Sequence, residues 1–548
     1  MRAMRKSCPL FCLALTMLCA ARAQMEVSFR RVTNAAQEPH NWITYSGDYT
    51  GRRYSTLEQI NRSNAEHLAV QWIFQTGVKS QYECTPLVVD GIMYVTGEDD
   101  SVSALDARIG RAIWRYRPAL PEKISLCCGR VNRGVAVLGN KVYVATLDAR
   151  VVALDAKSGN VAWEVNAADY QAGYSFTLAP LAVRDKIVVG SSGGDFGARG
   201  FIDAYDAETG KRAWRFNTIP GPGEPGNETW EGDSWKTGGG PAWITGSFDP
   251  DFNLIYWGTG NPGPSLYGEG RKGDNLYTDC VVALDADTGR LNWYFQFTPH
   301  DVHDWDATQI PVLVDLEFRG TRRKLLLDAN RNGFFYLLDR RTGEFLLAKP
   351  FVRVTWAKEI APNGRPVVLP GNEPTPEGNY VCPGAWGGTN WMSPSYNPES
   401  GLFYVAAREQ CDVFTSSPRP YKRGGGYFGS TASPPPKQKE KDWGALRAID
   451  PVTGDIKWEF KYYSAPFAGA LSTAGGLVFA GDMEGYLIAF DAQTGEVLWH
   501  FQTGSSIYSA PVTYSLDGRE YIAIVSGGAV LVFALPDNVI GHDRDTKR

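Results

Sequence analysis

Residues 153–163 read Ala-Leu-Asp-Ala-Lys-Ser-Gly-Asn-Val-Ala-Trp, and the same phrase recurs along the chain. It starts with apolar residues, passes through Asp155 and Gly159, and reaches Trp163 eight residues after the aspartate. An aspartate side chain can bond to nearby backbone in a turn, and a glycine supplies the positive φ that such a turn requires. The phrase therefore predicts a β-hairpin whose second strand carries the tryptophan.

The phrase occurs six times with the same spacing between aspartate and tryptophan. A seventh, weaker copy has Asp339 and Gly343 but no tryptophan. Because a single hairpin is only marginally stable in water, repeated hairpins are expected to pack on one another. The complete copies are Asp106, Gly110 and Trp114; Asp155, Gly159 and Trp163; Asp206, Gly210 and Trp214; Asp285, Gly289 and Trp293; Asp450, Gly454 and Trp458; and Asp491, Gly495 and Trp499.

The two ends of the chain supply the parts of one more unit. Residues 70–74 resemble the tryptophan strand without its partner, and residues 530–533 resemble the apolar strand without its tryptophan. Pairing these two segments would close a ring, and radial packing of four-stranded sheets gives a β-propeller. The sequence therefore predicts an all-β fold, an eight-bladed β-propeller with tryptophan-docking motifs whose ring is closed by N- and C-terminal strands.

Two long gaps between successive aspartates, before Asp285 and before Asp450, indicate insertions. The segment at about 412–445 contains three consecutive glycines and three consecutive prolines, and we predict an irregular loop there. Long loops in compact domains often cover functional sites.

The first residues predict export. Arg2, Arg5 and Lys6 precede an apolar run at 8–20, and Ala-Arg-Ala follows at 21–23. This pattern is typical of a secretory signal peptide covering residues 1–23, with cleavage before residue 24. The apolar run is too short to span a membrane, and no later stretch is long enough. We therefore expect residues 24–548 to form one propeller domain in the periplasm, an oxidising compartment where disulfides persist.

The charge of the chain argues against one class of partner. The full chain has a formal net charge of −5, and loss of residues 1–23, which hold four Lys or Arg and no acid, changes it to −9. Nucleic-acid binding requires a basic face, so that partner is not expected. An acidic protein can be steered toward a basic protein partner.

Cys127 and Cys128 are adjacent in the chain, and Arg133 follows them. Neighbouring cysteines can bond only through an eight-membered ring that distorts the peptide between them, and disulfides of unusual geometry are more easily reduced. The alternative is two unrelated buried thiols. The presence of the pair within a propeller repeat favours the bonded form.

This combination resembles the quinoprotein alcohol dehydrogenases, the methanol and ethanol dehydrogenase family that uses pyrroloquinoline quinone (PQQ). The resemblance covers essentially the whole mature chain. It rests on the vicinal cysteines, the tryptophan-docking repeats, the Gly-Thr-Gly-Asn-Pro run at 258–262 and the Thr-Pro-His-Asp run at 298–301. It implies a PQQ-dependent alcohol dehydrogenase that oxidises primary alcohols to aldehydes.

The resemblance implies a set of residues around the flat, tricarboxylated quinone. The vicinal disulfide would lie on one face and Trp243 on the other. Arg133 would hold a carboxylate, which suits the bidentate geometry of guanidinium. Arg331 would stabilise negative charge developing on the quinone oxygens. The implied cofactor-binding residues are Glu83, Cys127, Cys128, Arg133, Thr177, Ser192, Gly193, Gly194, Trp243, Arg331 and Asn390.

The same resemblance implies a metal site with oxygen ligands, which suits a hard cation. It also implies that Asp304 is the general base, while Arg331 completes the catalytic pair. Asp306 lies two residues after the base, a feature that in the family accompanies a lanthanide instead of calcium. Asp195 stands where the family usually has glutamate, so Ca²⁺ and a lanthanide(3+), one per subunit, both remain open. The implied metal ligands are Asp195, Asn261, Asp304 and Asp306.

The chain departs from the family pattern at two positions, and its histidines and remaining cysteines also carry expectations. Pro241 replaces a family threonine and Phe467 replaces a family tryptophan, which suggests an alcohol other than methanol. His300 and His303 are expected to have supporting roles at most, and zinc is not expected. The resemblance implies a structural disulfide between Cys382 and Cys411, and Cys84 and Cys280 are expected to be buried thiols.

Electrons must leave through a separate acceptor, since no Cys-x-x-Cys-His haem motif occurs. By resemblance the acceptor is a soluble cytochrome c, and homodimerisation is an expectation from the family.

Two other functions compete with this interpretation. One is a non-catalytic propeller scaffold of the outer-membrane assembly type, which shares the tryptophan repeat. That class would lack the vicinal cysteines, Arg331 and the region around Asp304. The other is a membrane-bound sugar dehydrogenase, which would need N-terminal spanning helices.

Overall fold

The chain is built from short β-strands in the computed structural model, which describes residues 26–79, 81–435 and 441–540. The predicted signal peptide, residues 1–23, lies outside the described residues. Within the described ranges, no helix has the length and apolarity needed to cross a membrane.

Each repeat folds as an antiparallel sheet, and the described residues contain eight sheets of four or five strands. We call these sheets blades and number them along the chain. The strands are Leu87–Val89, Ile92–Thr96, Val102–Asp106 and Ala112–Tyr116 in blade 1; Ala136–Leu138, Lys141–Ala145, Arg150–Asp155 and Val161–Asn166 in blade 2; and Leu181–Val183, Lys186–Gly190, Phe201–Asp206 and Arg212–Asn217 in blade 3. They are Ser247–Asp249, Leu254–Gly258, Cys280–Asp285 and Leu291–Gln296 in blade 4; Val312–Phe318, Thr321–Ala329, Phe334–Asp339 and Phe345–Pro350 in blade 5; and Ser395–Asn397, Leu402–Glu409, Trp443–Ile449 and Ile456–Tyr462 in blade 6. Blade 7 contains Ala470–Thr473, Leu477–Gly481, Tyr486–Asp491 and Val497–Gln502, and Tyr54–Ser55 is added to it in parallel.

Blade 8 joins the two ends of the chain. The strands Val512–Leu516, Arg519–Ser526 and Ala529–Ala534 come from the C-terminal part, and the fourth strand is Ala69–Gln75. Ala69–Gln75 pairs with Ala529–Ala534 in antiparallel register, with Val70 opposite Phe533. The predicted pairing of N- and C-terminal strands is therefore confirmed.

Each docking tryptophan contacts the blade that follows it. Trp114 of blade 1 donates from Nε1 to the carbonyl of Ala156 in blade 2 at 3.0 Å. Its ring lies so close to Gly159 that a Cβ atom there would be 2.5 Å from Cε3 of the indole. In the same way Trp72 of blade 8 donates to Ala107 of blade 1 at 3.2 Å. The repeat therefore joins successive blades, and it joins blade 8 to blade 1.

The core lies between the blades, where the inner strands are almost fully buried. Tyr94, Val152, Ile187 and Leu487 have no exposed surface and belong to the largest apolar cluster. Burial of such surfaces at about 25 cal/mol per Å² is the main stabilising contribution expected for stacked sheets.

The remaining elements lie N-terminal to the blades or in the connections between and within them. The segment predicted as an irregular loop at about 412–445 contains two strands of a three-stranded sheet, so part of it has regular hydrogen bonding. The other elements are the helix Phe29–Thr33, the 3-10 helices Ala35–Gln37, Ala65–His67, Tyr170–Ala172, Gly194–Phe196, Asn227–Thr229 and Ser234–Thr237, the sheet Ala357–Ile360 with Pro366–Val368, and the sheet Asn379–Val381, Asp412–Ser416 and Ser430–Ser433.

All the cysteines in the described residues follow the expected pattern. Disulfides join Cys127 to Cys128 and Cys382 to Cys411. Cys84 and Cys280 are buried free thiols.

Candidate active site

One cavity contains the residues that the sequence predicted for the site. It encloses about 790 Å³ of space not filled by protein atoms, part of it open to solvent. The predicted residues that line it are Glu83, Cys127, Cys128, Arg133, Thr177, Ser192, Gly193, Gly194, Asp195, Trp243, Asn261, Asp304, Asp306, Arg331 and Asn390.

The vicinal disulfide forms part of the cavity wall. Cys127 and Cys128 are exposed in this structure, and the sulfur of each lies within 4.8 Å of a carboxylate oxygen of Asp195. Trp243 lines the same cavity and is partly exposed. An exposed disulfide and a partly exposed indole bordering one cavity are surfaces that a flat ring could cover.

Cationic and hydroxyl groups lie at another part of the wall. Arg133 pairs with Glu83 at 2.5 Å and donates from Nη1 to the carbonyl of Thr177 at 3.2 Å. The Thr177 and Ser192 hydroxyl oxygens are 3.1 Å apart. The Nε atom of Arg133 is buried and has no acceptor among the described residues. This wall can therefore bind a carboxylate group of a ligand.

Backbone geometry brings Asp195 into the cavity. It lies in the short 3-10 helix Gly194–Phe196, between Gly193 and Gly197, which both have positive φ. A Cβ atom at Gly194 would be 2.5 Å from Cδ of Pro241, so a glycine is needed for this approach. Pro241, noted as a departure from the family pattern, thus packs directly against the segment that carries Asp195.

A side-chain cap holds the segment that presents Asp304. Asp304 has a φ of 65°, which is uncommon for a residue other than glycine. The Asp301 carboxylate accepts hydrogen bonds from the backbone N–H of His303 at 3.1 Å and of Trp305 at 2.9 Å. These two bonds bracket Asp304 and hold its peptide in the required conformation.

The histidines of this segment point to backbone carbonyls. His303 Nε2 is 2.7 Å from the carbonyl oxygen of Asn372, and His300 Nδ1 is 2.9 Å from that of Gly273. Neither ring lines the cavity described above.

Arg331 connects two aspartates. Its Nη2 donates to Asp304 Oδ2 at 3.1 Å, and its Nη1 donates to Asp306 Oδ2 at 2.5 Å. Its Nε and Nη2 also donate to the carbonyl of Ala385, at 3.1 and 2.7 Å. Burial lowers the pKa of Arg331, but the surrounding carboxylates, Asp304 first, outweigh that effect and raise it. The guanidinium therefore stays charged.

Three aspartates lie close enough to disfavour one another's ionisation. Burial, and then the charge of Asp306, raises the pKa of Asp195 to about 7. Burial raises the pKa of Asp304 well above its usual value despite Arg331, and Asp195 and Asp306 add to the effect. Burial also raises the pKa of Asp306, against the influence of Arg331. A bound cation would reverse these shifts by stabilising the carboxylates.

Some oxygens of this cluster are free to act as ligands. Asp195 Oδ1 and Asp304 Oδ1 are buried and have no hydrogen-bond partner in the described part of the chain. The Asp304 side chain as a whole is 23 % exposed, so the cluster is accessible from the cavity. Asp306 differs, because its Oδ1 accepts from the backbone N–H of Asn261 at 2.7 Å and its Oδ2 is held by Arg331. Unpaired carboxylate oxygens are donors of the kind that a hard cation prefers.

Other residues line the cavity that the sequence did not single out. Ser175 forms an isolated β-bridge with Ser192. Its position two residues before Thr177 could have identified it from the sequence as a residue of the cavity. Trp386 is 40 % exposed and contacts the rings of Trp391 and Phe467 at centroid distances of 6.2 and 5.4 Å. No motif points to Trp386, since it lies in an insertion without periodicity. The additional lining residues are Gln81, Leu126, Gly129, Val131, Ser175, Phe196, Trp386 and Trp391, and Pro241, already noted, also lines the cavity.

Comparison with known proteins gives one family match. The family described as "PQQ: Glucose/ethanol/alcohol dehydrogenase, beta-propeller domain" matches residues 42–355 and 440–522.

Individual relatives match over most of their length. The quinoprotein alcohol dehydrogenase PedH of Pseudomonas putida is 40 % identical, covering 95 % of this chain and 93 % of that protein. The quinohemoprotein alcohol dehydrogenase ADH-IIG of Pseudomonas putida is 42 % identical, covering 96 % and 78 %. Among solved structures, a europium-containing methanol dehydrogenase has a TM-score of 0.88 and 35 % identity, covering 92 % of this chain and all of that one.

Proposed function

The chain belongs to the family of PQQ-dependent dehydrogenases with a β-propeller domain, and from that premise we propose that it oxidises primary alcohols to aldehydes. The observation that carries the proposal is the cavity in which Asp304 Oδ1 lies unpaired beside Arg331, with the vicinal disulfide in the same wall. The family match supports an enzyme and leaves the non-catalytic scaffold without support.

Asp304 is the group proposed to take the hydroxyl proton of the alcohol. Its Oδ2 is engaged by Arg331, which leaves Oδ1 as the atom that accepts the proton. A general base must be ionised before it acts, and Arg331 together with a bound cation favours that state. A bound quinone would supply the two-electron acceptor at this site, and a bound cation would supply a Lewis acid.

The other residues are proposed to bind and orient. Arg133 and the hydroxyls of Thr177 and Ser192 hold the ligand's carboxylates, and Glu83 fixes Arg133. Arg331, held in place by four hydrogen bonds, donates toward the reacting centre and stabilises developing negative charge. The remaining proposed cofactor contacts are Cys127, Cys128, Gly193, Gly194, Trp243 and Asn390.

Asp195, Asn261, Asp304 and Asp306 are proposed to bind one cation, either Ca²⁺ or a lanthanide(3+). A third carboxylate at Asp306 adds negative charge, which favours a trivalent ion. Asp306 is also engaged by Arg331 and by the Asn261 backbone, so it can serve as a support for the site without binding the ion. Whether the enzyme is active with Ca²⁺ or with a lanthanide distinguishes the two roles of Asp306, as a ligand of the ion or as a support of the site.

The wider context is part of the same proposal. We propose that residues 24–548 are the mature domain, that it works in the periplasm, and that a soluble cytochrome c accepts its electrons. We also propose a homodimer. Reduction of a purified cytochrome c by the loaded enzyme and light scattering of the purified protein test the last two points.

The decisive experiment is reconstitution of purified apo-protein with PQQ and either Ca²⁺ or La³⁺. Dye-linked oxidation is then measured for primary alcohols from methanol to hexanol. Activity with one of the two metals supports the proposal, and the active metal assigns the role of Asp306. Bound quinone without oxidation of any alcohol under either condition would overturn it.

A further inference from the structure

A four-residue turn in the insertion between blades 5 and 6 lies directly against Arg331. We call it the 384–387 turn, because Gly387 N donates to the carbonyl of Gly384 at 2.9 Å. Ala385 and Trp386 are its central residues. Trp386 lines the cavity, whereas Ala385 is directed toward the arginine.

The turn surrounds Arg331 on several sides. The Ala385 carbonyl accepts from both Nε and Nη2 of the guanidinium, at 3.1 and 2.7 Å. Just after the turn, Gly388 N donates to the carbonyl of Arg331 at 2.9 Å. Gly387 has a φ of 74°, and a Cβ atom there would overlap Cγ of Arg331. The turn therefore packs closely against the arginine side chain and bonds its guanidinium.

On its far side the turn is held by a buried carboxylate. Asp412 Oδ2 accepts from the backbone N–H of Ala385 at 2.9 Å, and Asp412 is 4 % exposed. A side chain at Gly384 would overlap this carboxylate, so the glycine permits the approach. Asp412 therefore fixes the peptide that precedes the carbonyl bonded to Arg331.

Two further contacts make the support rigid. Asp412 is paired with Val381 in an antiparallel ladder, and the adjoining residues Cys382 and Cys411 are joined by a disulfide. On the other side, the Trp305 indole donates to the carbonyl of Gly384 at 2.9 Å. Trp305 lies between the two aspartates that Arg331 bridges, so one turn supports both partners.

We propose that Asp412 is a positioning residue, which acts through the 384–387 turn to hold the Arg331 guanidinium against Asp304 and Asp306. The inference rests on the proposed function only for the role given to Arg331. Asp412 itself does not line the cavity and would touch neither substrate nor quinone. Its removal should free the Ala385 peptide and allow Arg331 to leave its fork with the two aspartates.

The test compares Asp412→Ala with Asp412→Asn in the full-length protein. Alanine removes the acceptor for Ala385 N–H, while the asparagine amide oxygen can still accept that bond. We expect Asp412→Ala to lower kcat about tenfold with a smaller change in KM, because the lost interaction acts mainly in the transition state. Asp412→Asn should restore turnover to within about twofold of the wild type.

Two readouts separate this role from general destabilisation. The first is a double-mutant cycle with Arg331→Lys, in which Asp412→Ala should reduce turnover by less than about twofold further if both act through one interaction. The second is hydrogen exchange in the cofactor-free protein, where the amide of Gly388 should exchange about tenfold faster in Asp412→Ala. This second readout does not depend on activity, so it still decides the inference if the proposed alcohol oxidation fails.

Asp482→Ala is the matched control. Asp482 is also buried, at 7 % exposure, and its Oδ1 accepts the backbone N–H of Tyr486 at 2.7 Å. It should lower stability while leaving turnover and Gly388 exchange unchanged. Additive effects of Asp412→Ala and Arg331→Lys, or unchanged Gly388 exchange, would overturn the inference. If Asp412→Ala does not fold, Asp412→Ser is used, because its shorter side chain also loses the bond to Ala385.

Discussion

Arg331 holds only one of the two carboxylate oxygens of Asp304, since Nη2 bonds to Oδ2 at 3.1 Å while Oδ1 is buried without a partner in the described part of the chain. A carboxylate held in this way has a fixed direction and one oxygen left for a proton. The same guanidinium binds Asp306 at 2.5 Å, so the two acids are joined through a single cation. The geometry separates orientation, which Arg331 supplies, from proton uptake, which Asp304 Oδ1 can supply.

Asp304→Asn should abolish alcohol oxidation while leaving the quinone bound. The amide has similar size and can keep an oxygen toward Arg331, but it cannot accept a proton at neutral pH. We expect kcat to fall at least about 10³-fold, within the range typical of a lost general base. Dye-linked turnover and the absorbance of bound PQQ are measured together. Near wild-type turnover in the variant would remove Asp304 from the role of base.

Arg133→Met should lower both the stability of the protein and its affinity for the quinone. The Glu83 side chain is 2 % exposed, so loss of Arg133 leaves a buried carboxylate without its partner. We expect the free energy of unfolding to fall by about 3 kcal/mol and the Kd for PQQ to rise about 10- to 100-fold. Urea unfolding and tryptophan fluorescence titration measure the two effects.

The control for that variant is Arg133→Met combined with Glu83→Gln. A neutral residue at 83 removes the buried charge, so most of the lost stability should return. PQQ affinity should stay low, because the guanidinium is still missing. Recovery of PQQ affinity in the double variant would show that Arg133 acts only by neutralising Glu83.

Gly159→Ala should destabilise the junction between blades 1 and 2. The new Cβ would be 2.5 Å from the Trp114 ring, and the positive φ of 73° adds backbone strain. Gly518 has a φ of 78° with open space around it, so Gly518→Ala carries the strain without the clash. We expect about 1 kcal/mol of destabilisation for Gly518→Ala and at least about 2 kcal/mol more for Gly159→Ala. Equal melting temperatures would mean that tryptophan docking contributes nothing measurable.

Glu520 should make stability depend on pH. Burial raises its pKa from 4.5 to about 7 in the folded protein. The folded state therefore binds more protons than the unfolded state between these values, and the free energy of unfolding falls as pH rises from about 4.5 to about 7. The total effect is about 3 kcal/mol by linkage, present in full below pH 4.5 and lost above 7.

Glu520→Gln tests this effect. A neutral amide oxygen can accept from the Ile60 backbone N–H, as Oε2 does at 2.9 Å. The Thr513 hydroxyl, which donates to Oε1 at 3.2 Å, also lies 2.9 Å from the Tyr521 carbonyl, so it can donate there and accept from the amide N–H of the variant. The melting temperature of the variant should depend less on pH between pH 5 and pH 8 than that of the wild-type protein measured in the same way. A steeper or unchanged slope would contradict protonation of Glu520 in the fold.

The repeat was predictable because its signal is local. Asp155, Gly159 and Trp163 lie within one hairpin, and each has a physical reason to occupy its position. Pairing of the N- and C-terminal strands was predictable for a related reason, since residues 70–74 and 530–533 resemble the two strands of the repeated hairpin. The candidate site residues came from resemblance, and each of them borders the cavity.

The support around Arg331 was not predictable. Ala385 contributes its backbone carbonyl, which leaves no trace in the side-chain pattern, and Trp386 lies in an insertion without periodicity. Asp412 begins a segment that was predicted to be an irregular loop, because glycines and prolines follow it in the sequence. In the structure Asp412–Ser416 instead forms a strand. Long-range contacts of this kind depend on how the insertions fold over the blades, and the types and spacing of individual residues do not indicate that arrangement.

Blade 8 imposes an order on biosynthesis. The strand Ala529–Ala534 lies between Ala69–Gln75 and Arg519–Ser526, so among the described residues the early strand Ala69–Gln75 pairs only with a strand that is made much later. Until it arrives, the early strand has no neighbour and keeps its backbone hydrogen-bonding groups unpaired. A nascent chain that stops before residue 529 therefore presents an open edge to proteases and chaperones.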